Sequence, residues 1–180
     1  MAAQAEEPLA SGLPPAPLAD DPGQYGTTNP EEMTLDRMVQ NAQRGEVDMM
    51  TCALGYIMTK SGRHGAARTT FGACAEAGYS QALTWMSYLD DNGYGGDYNP
   101  DASTDWNRRA AEAGDAMGRY NYGLDILRRH GTSADLEEGR AWVDRAARAG
   151  LKRAETLRTE DYDWNSVTPD ADNWKYAPLF

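Results

Sequence analysis

The chain has 180 residues, of which 17 are Lys or Arg and 28 are Asp or Glu, and its formal net charge is −11. This acidic balance argues against binding to nucleic acid or to an anionic membrane surface, because either would need clustered Lys and Arg to displace counterions. No run approaches the roughly 18 consecutive apolar residues that cross a bilayer, so we expect no membrane-spanning segment. We expect one folded domain with a tail at each end.

The N-terminal segment, residues 1–28, is predicted to be disordered. It contains five prolines and few large apolar side chains, a composition that does not offset the entropy cost of ordering. No basic stretch followed by an apolar run is present, so the segment is not an intact secretory signal. Its composition fits both the remainder of a removed signal and an ordinary flexible tail.

The first predicted helix follows this segment. Asn29 suits a helix cap, Pro30 suits the first turn, and the two carboxylates that come next suit the positive end of the helix dipole. We therefore expect an N-terminal capping helix over residues 29–44.

A repeated segment determines the predicted architecture of the rest of the chain. Gly78, Gly114 and Gly150 each close a near-identical run of small residues, and successive glycines are 36 residues apart. Trp106 and Trp142 recur at the same interval, each eight residues before its glycine. Self-similarity at this period is typical of repeat proteins.

Each unit has room for two helices, a first helix A and a second helix B, with a turn between them. Helix A carries a small residue where neighbouring backbones are expected to approach closely, at Gly55, Ser87 and Gly123. On helix B, a large aromatic residue and two alanines share one face. The predicted units are 45–78, 79–114 and 115–150, followed by a terminal helix over 151–158.

These features resemble the Sel1-like repeat, a relative of the tetratricopeptide repeat. In this chain the resemblance is carried by residues 118–123 with 142–150, and by residues 82–87 with 106–114. It covers about residues 45–155. The resemblance implies an all-α solenoid of about three helix-turn-helix repeats, with the N-terminal capping helix before it and an extended C-terminal tail after it.

Proteins of this family are scaffolds and adaptors, and the resemblance implies that a concave side built mainly from helix A binds another protein or a peptide. The residues expected near that side are Trp85, Tyr88, Asn121 and Asp125. The residues assigned to the core side of the same helices are Ala82, Met86, Gly118, Tyr122 and Ile126. An aromatic pair beside a carboxylate suits a binding hot spot. The alternative is that Trp85 and Tyr88 complete the core between repeats.

The two cysteines of the chain, Cys52 and Cys74, fall on helices A and B of the first unit. Some secreted Sel1-like proteins resemble this arrangement, with a disulfide that joins the two helices of a repeat. The resemblance thus implies a disulfide, while two small buried apolar residues are the alternative. A disulfide favours a periplasmic or secreted location over the cytoplasm.

The C-terminal segment, residues 159–180, is an acidic aromatic tail. Trp164, Trp174, Tyr176 and Phe180 alternate with carboxylates in it, which is too aromatic for an inert linker. One interpretation is a cap that covers the last hydrophobic face of the repeats. The other is a linear motif that docks on a partner, and on that interpretation these four aromatic residues belong to the binding surface.

No pattern in the chain predicts a metal site, a cofactor or a catalytic residue. His64 and His130 lack the spacing of metal ligands. The turn from Asp97 to Asp101 is rich in oxygen ligands but lacks the Gly and Glu positions of an EF-hand loop.

The expected function is an exported adaptor that binds a subunit or regulator of a larger envelope complex. The alternative is a cell-envelope enzyme or a binder of peptidoglycan fragments. It would use acidic residues such as Asp91, Asp97 and Asp125 across a groove.

Overall fold

The structure is a computed structural model, and it describes residues 31, 33–129 and 133–167 of the chain. Within these residues the elements are all helical, and no strand is found. In chain order they are α1 (Leu35–Gln43), α2 (Met49–Lys60), α3 (His64–Glu76), α4 (Ser80–Asn92), α5 (Pro100–Glu112), α6 (Ala116–Arg129), α7 (Ser133–Arg148), α8 (Lys152–Thr159) and a short 3-10 helix (Trp164–Ser166). The all-α prediction is confirmed for this part of the chain, and the predicted disordered segment 1–28 lies outside it.

Helix α1 begins at a different cap from the one expected. The Thr34 hydroxyl accepts a hydrogen bond of 3.2 Å from the Arg37 amide, which makes Thr34 the N-cap. The expected cap, Asn29, lies outside the described residues. The predicted helix over 29–44 is therefore corrected to the bounds of α1.

The three repeated glycines end their helices in the same backbone conformation. Their φ angles are 93° at Gly78, 95° at Gly114 and 88° at Gly150, in the left-handed region that glycine adopts without strain. Each glycine is the second residue after α3, α5 or α7. The chain therefore leaves these three helices in the same way.

The small residues predicted on helix A mark close contacts between paired helices. A Cβ atom at Gly55 would lie 2.7 Å from the Phe71 ring, and one at Gly123 would lie 2.9 Å from the backbone oxygen of Gly139. On the middle pair, the hydroxyls of Ser87 and Ser103 are 2.9 Å apart. The pairs α2 with α3, α4 with α5, and α6 with α7 are thus held close at these positions, as the sequence predicted.

From α2 onwards, each helix packs mainly on the helices that precede and follow it in the chain, whereas α1 packs more on α3 than on α2. Helix α4 lies against both α3 and α5, and α6 lies against both α5 and α7. The buried apolar side chains form two clusters, one centred on α1 to α4 and the other on α6 to α8. An interior helix is therefore covered on two sides, which decides the exposure of several predicted site residues.

A disulfide joins the first helix pair. Cys52 on α2 and Cys74 on α3 are bonded, with their Cα atoms 5.9 Å apart. Cys74 is fully buried and Cys52 is half-buried. The pairing implied by the resemblance is confirmed. A cross-link that closes a loop of this size stabilises a fold by about 3 kcal/mol.

Candidate protein-binding surface

Three of the predicted binding residues on α4 and α6 are buried. Trp85 is 3% exposed, Asn121 is 1% exposed and Asp125 is 7% exposed. The expectation that they face an open surface is wrong, because neighbouring helices cover both sides of α4 and α6. Tyr88 is half-buried and keeps part of its ring accessible. Of the residues assigned to the core side, Ala82, Met86, Gly118 and Ile126 are buried as expected, whereas Tyr122 is only half-buried.

Trp85 holds two tyrosines in place from the core. Its ring stacks on Phe71 of α3, with centroids 5.4 Å apart and the planes 3° from parallel. Tyr56 of α2 meets the same indole edge-on with centroids 5.5 Å apart, and Tyr88 does so at the same centroid distance. The alternative interpretation of Trp85, as part of the core, therefore fits the structure. Its two tyrosine neighbours stand between that core and solvent.

The aromatic contacts continue into the turn that follows α4. Tyr94 meets Tyr88 edge-on with centroids 5.8 Å apart and stacks on the His64 imidazole with centroids 4.4 Å apart. Tyr88 thus contacts Tyr94 directly and is connected to Tyr56 through Trp85, and we call the half-buried rings of Tyr56, Tyr88 and Tyr94 the tyrosine ladder. The Lys60 ammonium lies 5.2 Å from the Tyr56 ring centroid and places a positive charge at one end of the ladder.

A buried carboxylate fixes the turn that carries Tyr94. Asp90 accepts a hydrogen bond of 2.6 Å from Arg68 and one of 2.8 Å from the Trp106 indole N–H. Arg68 also donates to the backbone oxygen of Tyr94 at 3.1 Å. One carboxylate therefore connects α3, α4 and α5, and the same arginine holds the turn against α3. No short sequence pattern marks this network, because its members lie far apart in the chain.

The glycines of this turn allow it to lie directly on the start of α3. A Cβ atom at Gly95 would lie 2.7 Å from the backbone carbonyl carbon of His64, and Gly95 has a φ of 69°. Any other residue would therefore force the turn away from α3. This contact places Tyr94 over His64, and it is the structural reason for the Gly-rich sequence of the turn.

The acidic residues of the alternative enzyme hypothesis occupy different environments. Asp125 is buried and accepts a hydrogen bond of 2.8 Å from the Asn107 side chain of α5, so it joins two helices. Asp91 is half-buried and Asp97 is exposed. In the part of the chain that the structure describes, no group of three or more His, Cys, Asp or Glu side chains is arranged to hold a metal ion. Of the two histidines, His64 stacks on Tyr94 and His130 lies outside that part.

The start of the C-terminal tail packs on the second cluster. The half-buried rings of Tyr162 and Trp164 contact that cluster together with Val167. The Tyr162 hydroxyl donates a hydrogen bond of 2.7 Å to Asp144, and the Arg128 guanidinium donates to the backbone oxygen of Trp164 at 3.0 Å. Burial, followed by the hydrogen bond to Asp144, raises the pKa of Tyr162 above its ordinary value.

These contacts favour the cap interpretation for the first part of the tail. Asp161 and Tyr162 both have positive φ angles, 54° and 59°, which turn the chain back towards α7 after α8 ends. The other predicted tail residues, Trp174, Tyr176 and Phe180, lie outside the described residues.

A group of exposed apolar side chains near the start of the described chain was not among the predicted site residues. Met49 is 68% exposed, Met50 is 54% exposed and Ile57 is 46% exposed. The signal was present in the sequence, because α2 has no charged side chain before Lys60 and is apolar on every side. Such a helix is normally buried on all sides.

The described part of the chain is an all-helical protein with an accessible aromatic surface, and none of its helices has the length and apolar character required to span a membrane. The chain matches no protein-family model and has no significant match to a curated protein or a solved structure. The Sel1-like resemblance therefore depends on the repeated residues themselves.

Proposed function

We propose that this protein is a scaffold of the Sel1-like repeat type that binds a partner protein or peptide through the tyrosine ladder. The observation that carries the proposal is the set of half-buried rings of Tyr56, Tyr88 and Tyr94, each in contact with a fixed aromatic neighbour. Tyrosine supplies a large amphipathic contact area with few rotatable bonds, and rings held before binding lose little entropy when a partner arrives.

The packing of the helices supports the repeat assignment. Sequential helices pack side by side, three helix pairs approach closely at small residues, and the three glycines of the repeat share one backbone conformation. In a solenoid each unit contacts mainly its neighbours and leaves an extended surface for a partner. The tyrosine ladder crosses from the first helix pair to the second, so a partner bound there contacts two repeats.

Charge indicates the kind of partner. The chain carries a formal net charge of −11, and an acidic protein attracts basic partners during encounter. We propose a partner with an apolar centre for the tyrosine rings and a basic margin. A subunit or regulator of an envelope complex is the partner class that we favour.

The disulfide supports an exported location. Disulfides persist in oxidising compartments such as the periplasm and are uncommon in the cytoplasm. The bond between Cys52 and Cys74 therefore fits a periplasmic or secreted protein. Acid quenching of native cells, followed by alkylation under denaturing conditions, checks the location, since both cysteines of an exported protein then react only after a reductant is added.

The binding proposal is tested by co-purification of the tagged full chain from its native host. We expect Tyr88→Ala to lose the partner, because removal of a central anchor ring from an interface costs roughly 2 kcal/mol or more. Tyr122→Ala is the matched control, since it removes a half-buried tyrosine from α6, outside the ladder. Both variants are first compared by thermal unfolding. Equal recovery of the partner by a folded Tyr88→Ala variant and by the control would refute the proposed surface.

A further inference from the structure

The exposed side of α2 is apolar along the length of the helix. The buried side consists of Thr51, Gly55, Met58 and Thr59. The opposite side presents the exposed Met49, Met50 and Ile57 together with the half-buried Ala53. A single exposed apolar side chain is ordinary on a protein surface, whereas three large ones on one face of a 12-residue helix indicate a contact surface. We call Met49, Met50, Ala53 and Ile57 the outer α2 face.

Helix α4 shows what normally covers this face. Gly55 on α2 corresponds to Ser87 on α4, since each is the small residue that approaches the paired helix. Counted from these residues, the positions of Met50, Ala53 and Ile57 are occupied on α4 by Ala82, Trp85 and Leu89. All three of those α4 residues are buried, and Trp85 stacks on Phe71 of the preceding helix α3. On α4, these three positions are therefore buried against the helix before it, whereas the position of Met49 is occupied by Gln81, which is exposed.

Helix α6 repeats the same arrangement. Counted from Gly123, the corresponding residues are Gly118, Asn121 and Asp125, which are also buried. A Cβ atom at Gly118 would lie 2.4 Å from the Cβ of Ala110 on α5, and Asp125 is hydrogen-bonded to Asn107 on α5. The face is thus covered by the preceding helix in both later pairs. On α2 the same positions are left open by α1, whose Met38 instead contacts Thr51 on the buried side.

The charges at the two ends of α2 indicate which molecule covers its outer face. Glu46 and Asp48 stand at the start of the helix, and Lys60 is its last residue. No charged residue lies between them. An antiparallel pairing of two α2 helices about a two-fold axis sets the apolar residues against each other. It also brings Lys60 of each copy beside Glu46 and Asp48 of the other. A two-fold interface requires this kind of self-complementarity.

The opposite end of the described chain offers no comparable face to a second copy. Tyr162, Trp164 and Val167 pack on the second cluster there, and Leu151, Ala154 and Leu157 of the α8 region are buried. All the large apolar side chains exposed on helices of the described residues belong to α2. A contact between two α2 helices therefore fits better than a contact between opposite ends of two chains.

We propose that the protein forms a two-fold dimer in which the outer α2 faces of two copies pack antiparallel. The contact has an apolar centre of methionine and isoleucine side chains. At each margin, Lys60 of one copy lies beside Glu46 and Asp48 of the other. The proposal concerns a surface distinct from the centre of the tyrosine ladder and does not depend on the partner proposed above. The dimer carries two ladders, so it binds a multivalent partner more tightly than one copy does.

The mass of the full chain in solution tests the dimer. Sedimentation equilibrium over a wide concentration range is expected to give a dimer for the wild type. For Ile57→Asp we expect the dissociation constant of the dimer to rise at least roughly tenfold, because the substitution places two carboxylates in an apolar contact. Tyr98→Asp is the matched control, since Tyr98 is also an exposed large side chain but lies in the turn before α5. It is expected to dimerise as the wild type does.

A charge exchange tests the antiparallel orientation. Lys60→Glu alone and Glu46→Lys alone are each expected to weaken the dimer by roughly three- to tenfold, because each sets like charges against each other. The double variant is expected to dimerise more tightly than Lys60→Glu alone, because the exchange restores one opposite-charge contact while Asp48 is unchanged. Melting curves establish that all variants fold.

Three outcomes overturn the proposal. The first is a wild type that stays monomeric throughout the concentration range. The second is an Ile57→Asp variant that dimerises like the wild type. The third is a monomer in which residues 1–30 protect α2 from hydrogen exchange, with that protection lost on their deletion.

Discussion

The first and third helix pairs of this protein are stabilised by different means. The first pair, α2 with α3, has a disulfide and leaves the outer side of α2 open. The third pair, α6 with α7, has no cysteine and is covered by α5 on one side and by α8 and the tail on the other. In the described part of the chain, a covalent bond thus joins the helices of the first pair, and aromatic side chains of the tail pack on the cluster that contains the third pair.

A buried carboxylate connects each helix pair to the next. The first and second pairs share the buried carboxylate of Asp90, which is held by Arg68 and Trp106. The second and third pairs share Asp125, which is held by Asn107. Arg68 also donates to the backbone oxygen of Tyr94, so the Asp90 network holds the turn that carries Tyr94 at the junction of the first two pairs.

Removal of the disulfide is the change with the largest expected effect on this comparison. The double variant Cys52→Ala with Cys74→Ala is expected to lose about 3 kcal/mol of unfolding free energy, because the unfolded chain regains the freedom of a closed loop. Urea unfolding followed by circular dichroism measures the loss. A reductant should lower the stability of the wild type and leave the double variant unchanged. Unfolding midpoints of the wild type that do not respond to reductant would show that the bond does not support the first pair.

The cap at the other end is tested by Tyr162→Phe, with a smaller expected effect. The substitution removes the hydrogen bond to Asp144 and keeps the ring, so we expect a loss of about 1.5 kcal/mol near neutral pH. Urea unfolding measures this loss. Tyr98→Phe is the control, because its exposed side chain lies in the turn before α5. Equal stability of Tyr162→Phe and the wild type would show that the hydrogen bond does not hold the cap.

The same variant gives a pH test. Because the pKa of Tyr162 is raised in the folded state, its contribution is fully present below the ordinary tyrosine pKa of about 10 and is lost as pH rises through the folded-state pKa. The wild type should therefore lose more stability than Tyr162→Phe as pH rises above about 10. Parallel alkaline profiles would contradict the role given to burial and to Asp144.

The backbone at the start of the tail gives the smallest expected effect. Asp161 is exposed and has a φ of 54°, a conformation that costs a residue with a side chain roughly 1 kcal/mol. Asp161→Gly removes this cost but gives the unfolded chain more freedom, so we expect a gain of up to about 0.5 kcal/mol. Asp163→Gly, at an exposed residue without a positive φ, is expected to give no gain. A clear loss in Asp161→Gly would mean that the carboxylate itself holds the tail.

Parts of this fold could be predicted from the sequence because they depend on local rules. The glycines after α3, α5 and α7 and the small residues Gly55, Ser87 and Gly123 occur at positions where backbone geometry and close approach permit little else. The spacing of these residues in the sequence therefore predicted the three helix pairs. The pairing of Cys52 with Cys74 followed from the resemblance that these residues carry.

The exposure of site residues could not be predicted in the same way. A single apolar stripe identifies the buried side of a surface helix, but α4 and α6 are covered on two sides, and this burial includes Trp85, Asn121 and Asp125. The residues that hold the turn of Tyr94 come from three helices, so no short pattern marks them. The start of the tail folds back through two left-handed residues, and its alternating carboxylates and aromatics do not encode that reversal.

The central claim is that the tyrosine ladder is the partner surface, and the affinity of the captured partner tests it most directly. Titration of that partner by isothermal calorimetry against the wild type, Tyr88→Ala and Tyr122→Ala compares a ladder ring with a tyrosine elsewhere. The account predicts a dissociation constant at least roughly thirtyfold higher for Tyr88→Ala and unchanged for Tyr122→Ala. Equal dissociation constants for the wild type and a folded Tyr88→Ala variant would contradict it.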